Sequence, residues 1–346
     1  MKWSINEISP KNHSHRRYLG CYCCSRCLLA IPSGIELCQN AYQYHTRKKS
    51  SQFLQELGRV AFEGLLIEDK ILEKGNEFQW LLKLRPELAQ LKAGTYRLQP
   101  GMNVEQLLQL IVSGKEAQFS IRFIEGNRLS DWGNILRDAP YLEHKTTNLT
   151  PTELHALIGF NEEGTLEGWL YPDTYLYTAG TTDAEILKRA YKRMQNSLDE
   201  EWKGRDRDLP YKNAYEMLIM ASIIEKETGV DSERAQVASV FVNRLKKNMR
   251  LQTDPTVIYG LGDKYRGKIY RSDLDNYTPY NTYKIDGLPP TPIAMPSLAS
   301  LKAAAHPAKT DYIFFVADGK GGHTFSRNLN DHNRAVKVYR QFEQQN

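Results

Sequence analysis

Tyr215–Lys226 reads YEMLIMASIIEK, and the reading of this stretch decides what the rest of the chain must build around it. Met217–Ile224 is uncharged and mostly apolar, so the helix predicted here is apolar nearly all round and belongs inside a helical layer. Leu218, Ala221 and Glu225 fall on one stripe, at spacings of three and four. Glu225 therefore stands where a core residue is expected. A carboxyl group in such a place loses solvation, which favours the protonated form. That is the requirement for a general acid acting on a leaving-group oxygen. The competing reading is a buried Glu satisfied by an Arg or by backbone donors. Lys226 and Glu227 follow at the expected helix end, where solvation or pairing accounts for them.

Outward from this helix the texture is mixed. Glu233–Leu245 reads as a further helix, set off by Gly229 and the caps Asp231 and Ser232. Asp183–Asn196, Thr152–Ile158 and Leu129–Ala139 read as helices on the N-terminal side. Glu167–Tyr175 is aromatic and turn-rich. After Leu251 the chain is rich in prolines and reads as loops, closing with a strand at Tyr312–Ala317 and a helix at Asn330–Phe342. Before Leu129 lie helices at Gln52–Lys74 and from Phe78 to Leu84. They are followed by a strand at Ala93–Leu98, a helix at Val104–Val112 capped by Asn103 and ended by Ser113-Gly114, and a strand at Phe119–Phe123. The fold class is α+β. A small α/β module precedes a mixed, helix-rich domain with a loop-rich C-terminal half. The divisions fall at residues 1–50, 51–124 and 125–346.

Charge and cysteine mark the first of these pieces. The 346 residues carry 46 Lys/Arg and 41 Asp/Glu, a formal net charge of +5. Residues 1–50 hold eight of the basic groups and two of the acids, a net of +6, together with all five cysteines. The rest is Cys-free and has a net charge of −1. So the body is not a disulfide scaffold or a Cys-ligated zinc protein. Its near-zero charge argues against nucleic acid as a partner. Within the head, a basic start at Lys11–Arg17 precedes Tyr18–Leu37, a run of spanning length, about 20 residues. Arg26, Pro32, Gly34 and Glu36 interrupt or close that run, and a central Arg costs about 2.5–3.5 kcal/mol on insertion. Cys21, Cys23, Cys24 and Cys27 lack a second pair at finger spacing, and incidental thiols are the simpler reading.

Two loops carry polar groups beside aromatics. Arg250–Gly260 presents Gln252, Thr253, Asp254 and Tyr259; Tyr280–Tyr283 presents Tyr280, Asn281 and Tyr283. A sugar ring needs that mixture, because it offers hydroxyls at its rim and C–H groups on its faces. Taken singly, each loop also reads as an ordinary Pro-bounded turn. His306 reads as a cation at a helix C-terminus. Asp318–Phe325 has glycines but not the spacing of a phosphate loop, and reads as a hairpin turn with His323 nearby. No H-E-x-x-H, G-x-S-x-G or G-x-G-x-x-G motif is present. No cofactor and no metal is expected.

Ala221–Thr228 (ASIIEKET), Leu251–Gly260 (LQTDPTVIYG), Tyr280–Tyr283 (YNTY) and Gly287–Pro290 (GLPP) together resemble the endolytic murein transglycosylases, the YceG-like family. Glu167–Tyr175 and Ala303–Asn333 extend the resemblance, which spans roughly residues 51–346. It implies a LysM-like first module and cleavage within nascent peptidoglycan glycan strands. The products end in 1,6-anhydro-N-acetylmuramic acid, formed without water. It also implies an inner-membrane anchor with the N-terminus cytoplasmic and the catalytic domain periplasmic, and cell-wall synthases as partners. The family's one acid–base glutamate maps onto Glu225. Met295 departs from the family, which often has Asn there, and the Cys-rich head replaces the family's apolar anchor. The head is then a degraded anchor or a frameshifted start. Two other functions stay open from the residues: a muramidase with Asp254 as its second carboxylate, and a non-catalytic peptidoglycan-binding scaffold.

Overall fold

The computed structural model describes residues 36–38, 51–68, 71–162 and 164–345. The Cys21–Cys27 cluster and nearly all of the candidate span lie outside them. Among the described residues no helix is long and apolar enough to cross a membrane, and no group of His, Cys, Asp and Glu is placed to hold a metal ion.

The chain forms two compact units, and the first is discontinuous: residues 1–119 and 176–180. Strand β1 (Glu36–Cys38), helix α1 (Ser51–Glu68), helix α2 (Glu77–Leu84), a 3-10 turn at Pro86–Ala89, strand β2 (Thr95–Arg97) and helix α3 (Val104–Ser113) belong to it. Its core joins Phe62 and Leu66 of α1 to Phe78 and Leu82 of α2 and to Leu107, Leu108 and Ile111 of α3. Tyr96 is buried among them, and its hydroxyl donates to Lys92 O and Ile111 O. Helix α3 starts where the sequence marks it. Asn103 Oδ1 accepts from Gln106 N and Gln106 Oε1 accepts from Asn103 N, a reciprocal cap, and Gly114 ends the helix in the left-handed region. The expected strand–helix–strand unit does not close on itself. Ala117 N–H reaches Thr95 O at 2.7 Å, but β2 pairs antiparallel with β1, and β3 (Phe119–Arg122) pairs with β4 (Thr174–Tyr177).

The second unit takes residues 120–175 and 181–346. It holds α4 (Leu129–Arg137), α5 (Pro151–Ile158), α6 (Asp183–Gly204), α7 (Ala214–Glu227), α8 (Asp231–Lys246), α9 (Asp254–Leu261), α10 (Arg271–Asp275), α11 (Leu298–Ala305), the hairpin β5 (Phe314–Ala317) and β6 (His323–Ser326), and α12 (Leu329–Gln345). Helix α7 is the centre: Met217–Ile224 is buried without a break, and α6, α8, α9 and α11 pack around it. Helix α6 runs past its expected end at Asn196 because its buried stripe continues through Leu198 to Glu201.

The loop-rich reading of the C-terminal half is corrected by α9 and α10, while α11 is the helix whose C-terminus His306 marks. Pro255 is one reason α9 was hard to see; it lies in the first turn, where a missing N–H costs nothing. Asp318–Gly322 is the turn of the β5–β6 hairpin, with Asp318 Oδ1 accepting from Lys320 N and Gly322 N.

Candidate active site

Glu225 stands in the last turn of α7, where the helix emerges from the core. It is half-buried rather than enclosed, which corrects the expectation of a core position. Its carboxylate reaches the start of α11. Oε2 accepts from Ser297 N (2.9 Å), Ser297 Oγ (2.5 Å) and Ser300 Oγ (2.6 Å). Ser297 is also the N-cap of α11, accepting from Ser300 N. So the carboxylate sits at the positive end of a helix dipole. Among the described residues none donates to Oε1. Ser222, one turn back, donates to Ile219 O and accepts from Ile293 N, which ties the 292–297 segment to α7.

The loop at 124–128 closes the other side. Gly126 N donates to Met295 O and Met295 N to Asn127 O, while Lys226 Nζ donates to Gly126 O at 3.1 Å. Gly126 has φ +74°, and a Cβ there would lie 3.7 Å from Glu225 Cγ. Met295 is buried, and its sulfur accepts from Gly168 N, so the position acts in packing. Glu125 on this loop has its pKa pushed up, by burial first and by the Glu225 charge second.

Two further acids are more perturbed. Glu167 is 5% exposed; Oε1 accepts from Leu129 N and Oε2 from the Tyr259 hydroxyl at 3.2 Å. Burial pushes its pKa up to about 7, against those hydrogen bonds and Arg128. Glu227, half-buried, accepts from Thr253 Oγ1, and burial pushes its pKa up to about 7 as well. The sequence held a signal for Glu167, a lone acid between Leu166 and Trp169-Leu170. For Glu227 and the Ser297–Ser300 cradle it held none beyond a helix end and a Ser cap.

Glu167 carries a stability consequence. An acid whose folded pKa lies above its unfolded one holds more protons when folded, so stability falls as pH rises from about 4.5 to about 7 and then levels. Glu167→Gln removes that loss, worth up to roughly 3 kcal/mol. Its melting temperature is expected to exceed that of the parent at pH 8 and to match it near pH 4.5. A difference that does not vary with pH rules this out.

The two polar loops meet. Thr253 N donates to Thr282 Oγ1, which also bonds Thr256 Oγ1, and Gln252 N donates to Thr282 O. Tyr283 OH donates to Asp254 Oδ1 at 2.7 Å. Tyr259 and Tyr280 lie with ring centroids 4.8 Å apart, and the Arg128 guanidinium lies over Tyr259. Gln252 and Asp254 are exposed, while Tyr259, Tyr280 and Tyr283 are half-buried. Asn281 and Thr253 sit deeper. Asn281 is fully buried; its Nδ2 donates to Asp273 O, Leu274 O and Asn276 O, and its Oδ1 accepts from Tyr283 N. Thr253 also lines a cavity with Glu227, Gln252, Asp254 and Tyr283, whereas Asn281 is bound into its own loop. His306 caps α11 and bonds Asp206. His323 bonds Glu233 through Nδ1 and through its backbone N–H.

A sequence model of the YceG-like family matches residues 56–338 and so takes in every group just described. The chain belongs to the YceG-like family. Its YceG-like relatives include a protein named endolytic murein transglycosylase from Bacillus subtilis (strain 168). That protein is 33% identical over 295 residues, 81% of each chain. A protein of the same name from Streptococcus pneumoniae serotype 2 (strain D39 / NCTC 7466) is 26% identical over 318 residues, 82% of this chain and 56% of the relative. The crystal structure of a yceG-like protein from Listeria monocytogenes matches with a TM-score of 0.51 at 30% identity, covering 80% of this chain and 94% of that one. The YceG-like match and the Glu225 cradle fall on the same segment of the chain.

Proposed function

We propose that this protein is a peptidoglycan lytic transglycosylase. It cleaves the MurNAc–GlcNAc bond within nascent glycan strands, leaves 1,6-anhydro-MurNAc ends and helps to terminate elongation. The observation that carries this is the Glu225 carboxylate, held by one oxygen at the N-terminus of α11 with the other oxygen left open. In its protonated form Glu225 donates to the glycosidic oxygen through Oε1. Glu225 then takes the proton of the sugar's own C6 hydroxyl, whose oxygen closes on C1. One group serves in turn as acid and base, and no water is consumed. Gln252, Asp254, Tyr259, Tyr280 and Tyr283 bind the strand, with Thr253 and Asn281 setting their loops.

A hydrolase needs a second carboxylate, about 5–5.5 Å or 6.5–9.5 Å from the first. Asp254 is engaged by Tyr283. Glu125, which feels the Glu225 charge, is the acid that favours this second reading. Product masses separate the two. Strands digested by the full chain are expected to end in anhydro sugars, lighter by one water than hydrolysed ends. Ends that carry the water, and solvent label with it, make the protein a muramidase. The finer setting is proposed on the same reading: a LysM-like first unit, an inner-membrane anchor with cytoplasmic N-terminus, a periplasmic catalytic unit and synthase partners.

A further inference from the structure

Between α9 and the Tyr280–Tyr283 loop the chain makes an excursion, residues 262–277, that the proposed acid–base chemistry does not use. It leaves by the 3-10 turn Gly262–Lys264 and returns through α10. Its base is fastened to the polar loops. Gly260, just before it, runs so close to the returning chain that a Cβ there would lie 2.7 Å from Thr278 Oγ1 and 3.1 Å from Tyr280 Cβ. Asn281, just after it, donates through Nδ2 to Asp273 O, Leu274 O and Asn276 O. The excursion is therefore rooted in the region that carries Tyr259 and Tyr280.

Gly262–Arg271 holds four cations and one acid, a net of +3 in a body whose net charge is −1. Pairing sorts the charges of the excursion. The acids of its return side are engaged at the base. Asp273 Oδ2 accepts from Tyr270 N, and Asp275 pairs with Arg271 through one oxygen and with Lys284 through the other. Lys264, Arg266 and Lys268 are exposed, and among the described residues no carboxylate lies within ion-pair distance of these three. The Arg266 guanidinium lies over the Tyr270 ring at 4.7 Å, and Tyr270 and Tyr277 are 44% and 70% exposed. Like charges held on one short segment repel one another, and an anionic partner relieves that repulsion.

The spacing of the cations chooses among anions. A phosphate group needs donors that converge on one point. These cations are instead strung along the segment, with Gly267 at φ +81° turning the chain between Arg266 and Lys268. Carboxylates spaced along a peptide fit that arrangement, and the tyrosine rings offer cover to its side chains. Peptidoglycan strands carry short peptides with free carboxylates. We propose that the excursion binds these acidic peptides while the polar loops hold the sugars. The proposal rests on the glycan-cleaving reading above and adds a peptide preference to it. The reach agrees. From Asp254 to Leu261 α9 rises about 10 Å, and an extended peptide of about five residues spans up to about 17 Å. A peptide on a sugar bound beside Asp254 can therefore reach the cations just past the end of α9.

The test uses the full chain and glycan strands prepared in three forms: with their peptides, with the peptide carboxylates amidated, and with the peptides removed. Cleavage gives kcat and KM for each form. Calorimetry on Glu225→Gln gives binding without turnover. At low salt the parent is expected to take peptide-bearing strands with a KM about tenfold below that for either other form and a similar kcat, the combined effect of a few exposed ion pairs. At about 0.5 M salt the lead should shrink to within about twofold. The triple variant Lys264→Gln, Arg266→Gln, Lys268→Gln is expected to abolish the lead and to cleave peptide-free strands like the parent. The charge-keeping triple Lys264→Arg, Arg266→Lys, Lys268→Arg is expected to retain it. Equal KM for peptide-bearing and amidated strands in the parent overturns the inference whether or not any variant folds. So does a folded first triple that keeps the whole lead. Binding of the parent, but not of that triple, to anionic phospholipid vesicles, with no preference among strands, gives the excursion to a membrane surface and overturns it too. Selective binding of peptide-bearing strands with no cleavage of any strand upholds the inference and removes the lytic reading instead.

Discussion

Glu225→Gln is expected to lower kcat for strand cleavage by about 10²–10⁴-fold, the range a positioned acid–base group supplies. The geometry makes the substitution clean. The Gln carbonyl oxygen can take the place of Oε2 and accept from Ser297 N–H, and the two serine hydroxyls can rotate to suit the new amide. Folding and KM should therefore move little, and the loss should appear in kcat. An amide cannot deliver the proton to the glycosidic oxygen or take one from the C6 hydroxyl. Strand binding measured beside turnover completes the experiment. Retained binding with lost cleavage is the expected pair. Full lytic activity in the variant would move the chemistry to another acid, with Glu125 the first to examine.

The second large effect is on stability. Arg244→Met keeps the apolar stem of the side chain but strips donors from Ile313 O, Arg250 O and Leu251 O. Each buried acceptor left unsatisfied costs about 1–3 kcal/mol. The chain in question ties α8 to the 250–252 loop and to the start of the β5–β6 hairpin, so the losses fall on one cooperative region. We expect a loss of about 3–5 kcal/mol, read as a drop in melting temperature of roughly 10 °C at this size. The relief of one desolvated charge offsets part of the cost. A variant melting within 2 °C of the parent, as an order-of-magnitude limit, would mean that these carbonyls find other partners.

Much of this architecture could be read from residue spacing. The α7 segment announces its burial by having no charge from Met217 to Ile224, and the cap Asn103 marks its helix because its side chain has nothing better to bond than the N–H groups after it. Glu225 stands out in the sequence for sharing a stripe with Leu218 and Ala221, although the structure leaves it half-buried at the helix end. Its cradle was not. Ser297 lies 72 residues away, and a serine after a proline looks the same whether it caps a helix, holds a carboxylate or does both. Glu227 escaped notice because a charged residue at a helix end is ordinarily solvated. Only the folding back of Thr253 and Arg244 makes its surroundings dry. Helix α9 was hidden by Pro255, because prolines mark loops in general but also begin helices. Local pattern reports local structure, whereas the meeting of α7, α11 and the 250–283 loops is decided by packing across long sequence separations.

The first unit's return segment affects how this protein can be dissected. Residues 176–180 come from deep within the sequence of the second unit, yet Tyr177 is buried in the first unit with its ring 5.7 Å from Phe119. A fragment ending at residue 124 would lack that ring and leave Phe119 uncovered. A fragment beginning at residue 125 would carry Tyr177, stripped of its cover, into solvent. Neither half is a clean excision, and a weak or aggregating fragment would report the place of the cut rather than the worth of the domain.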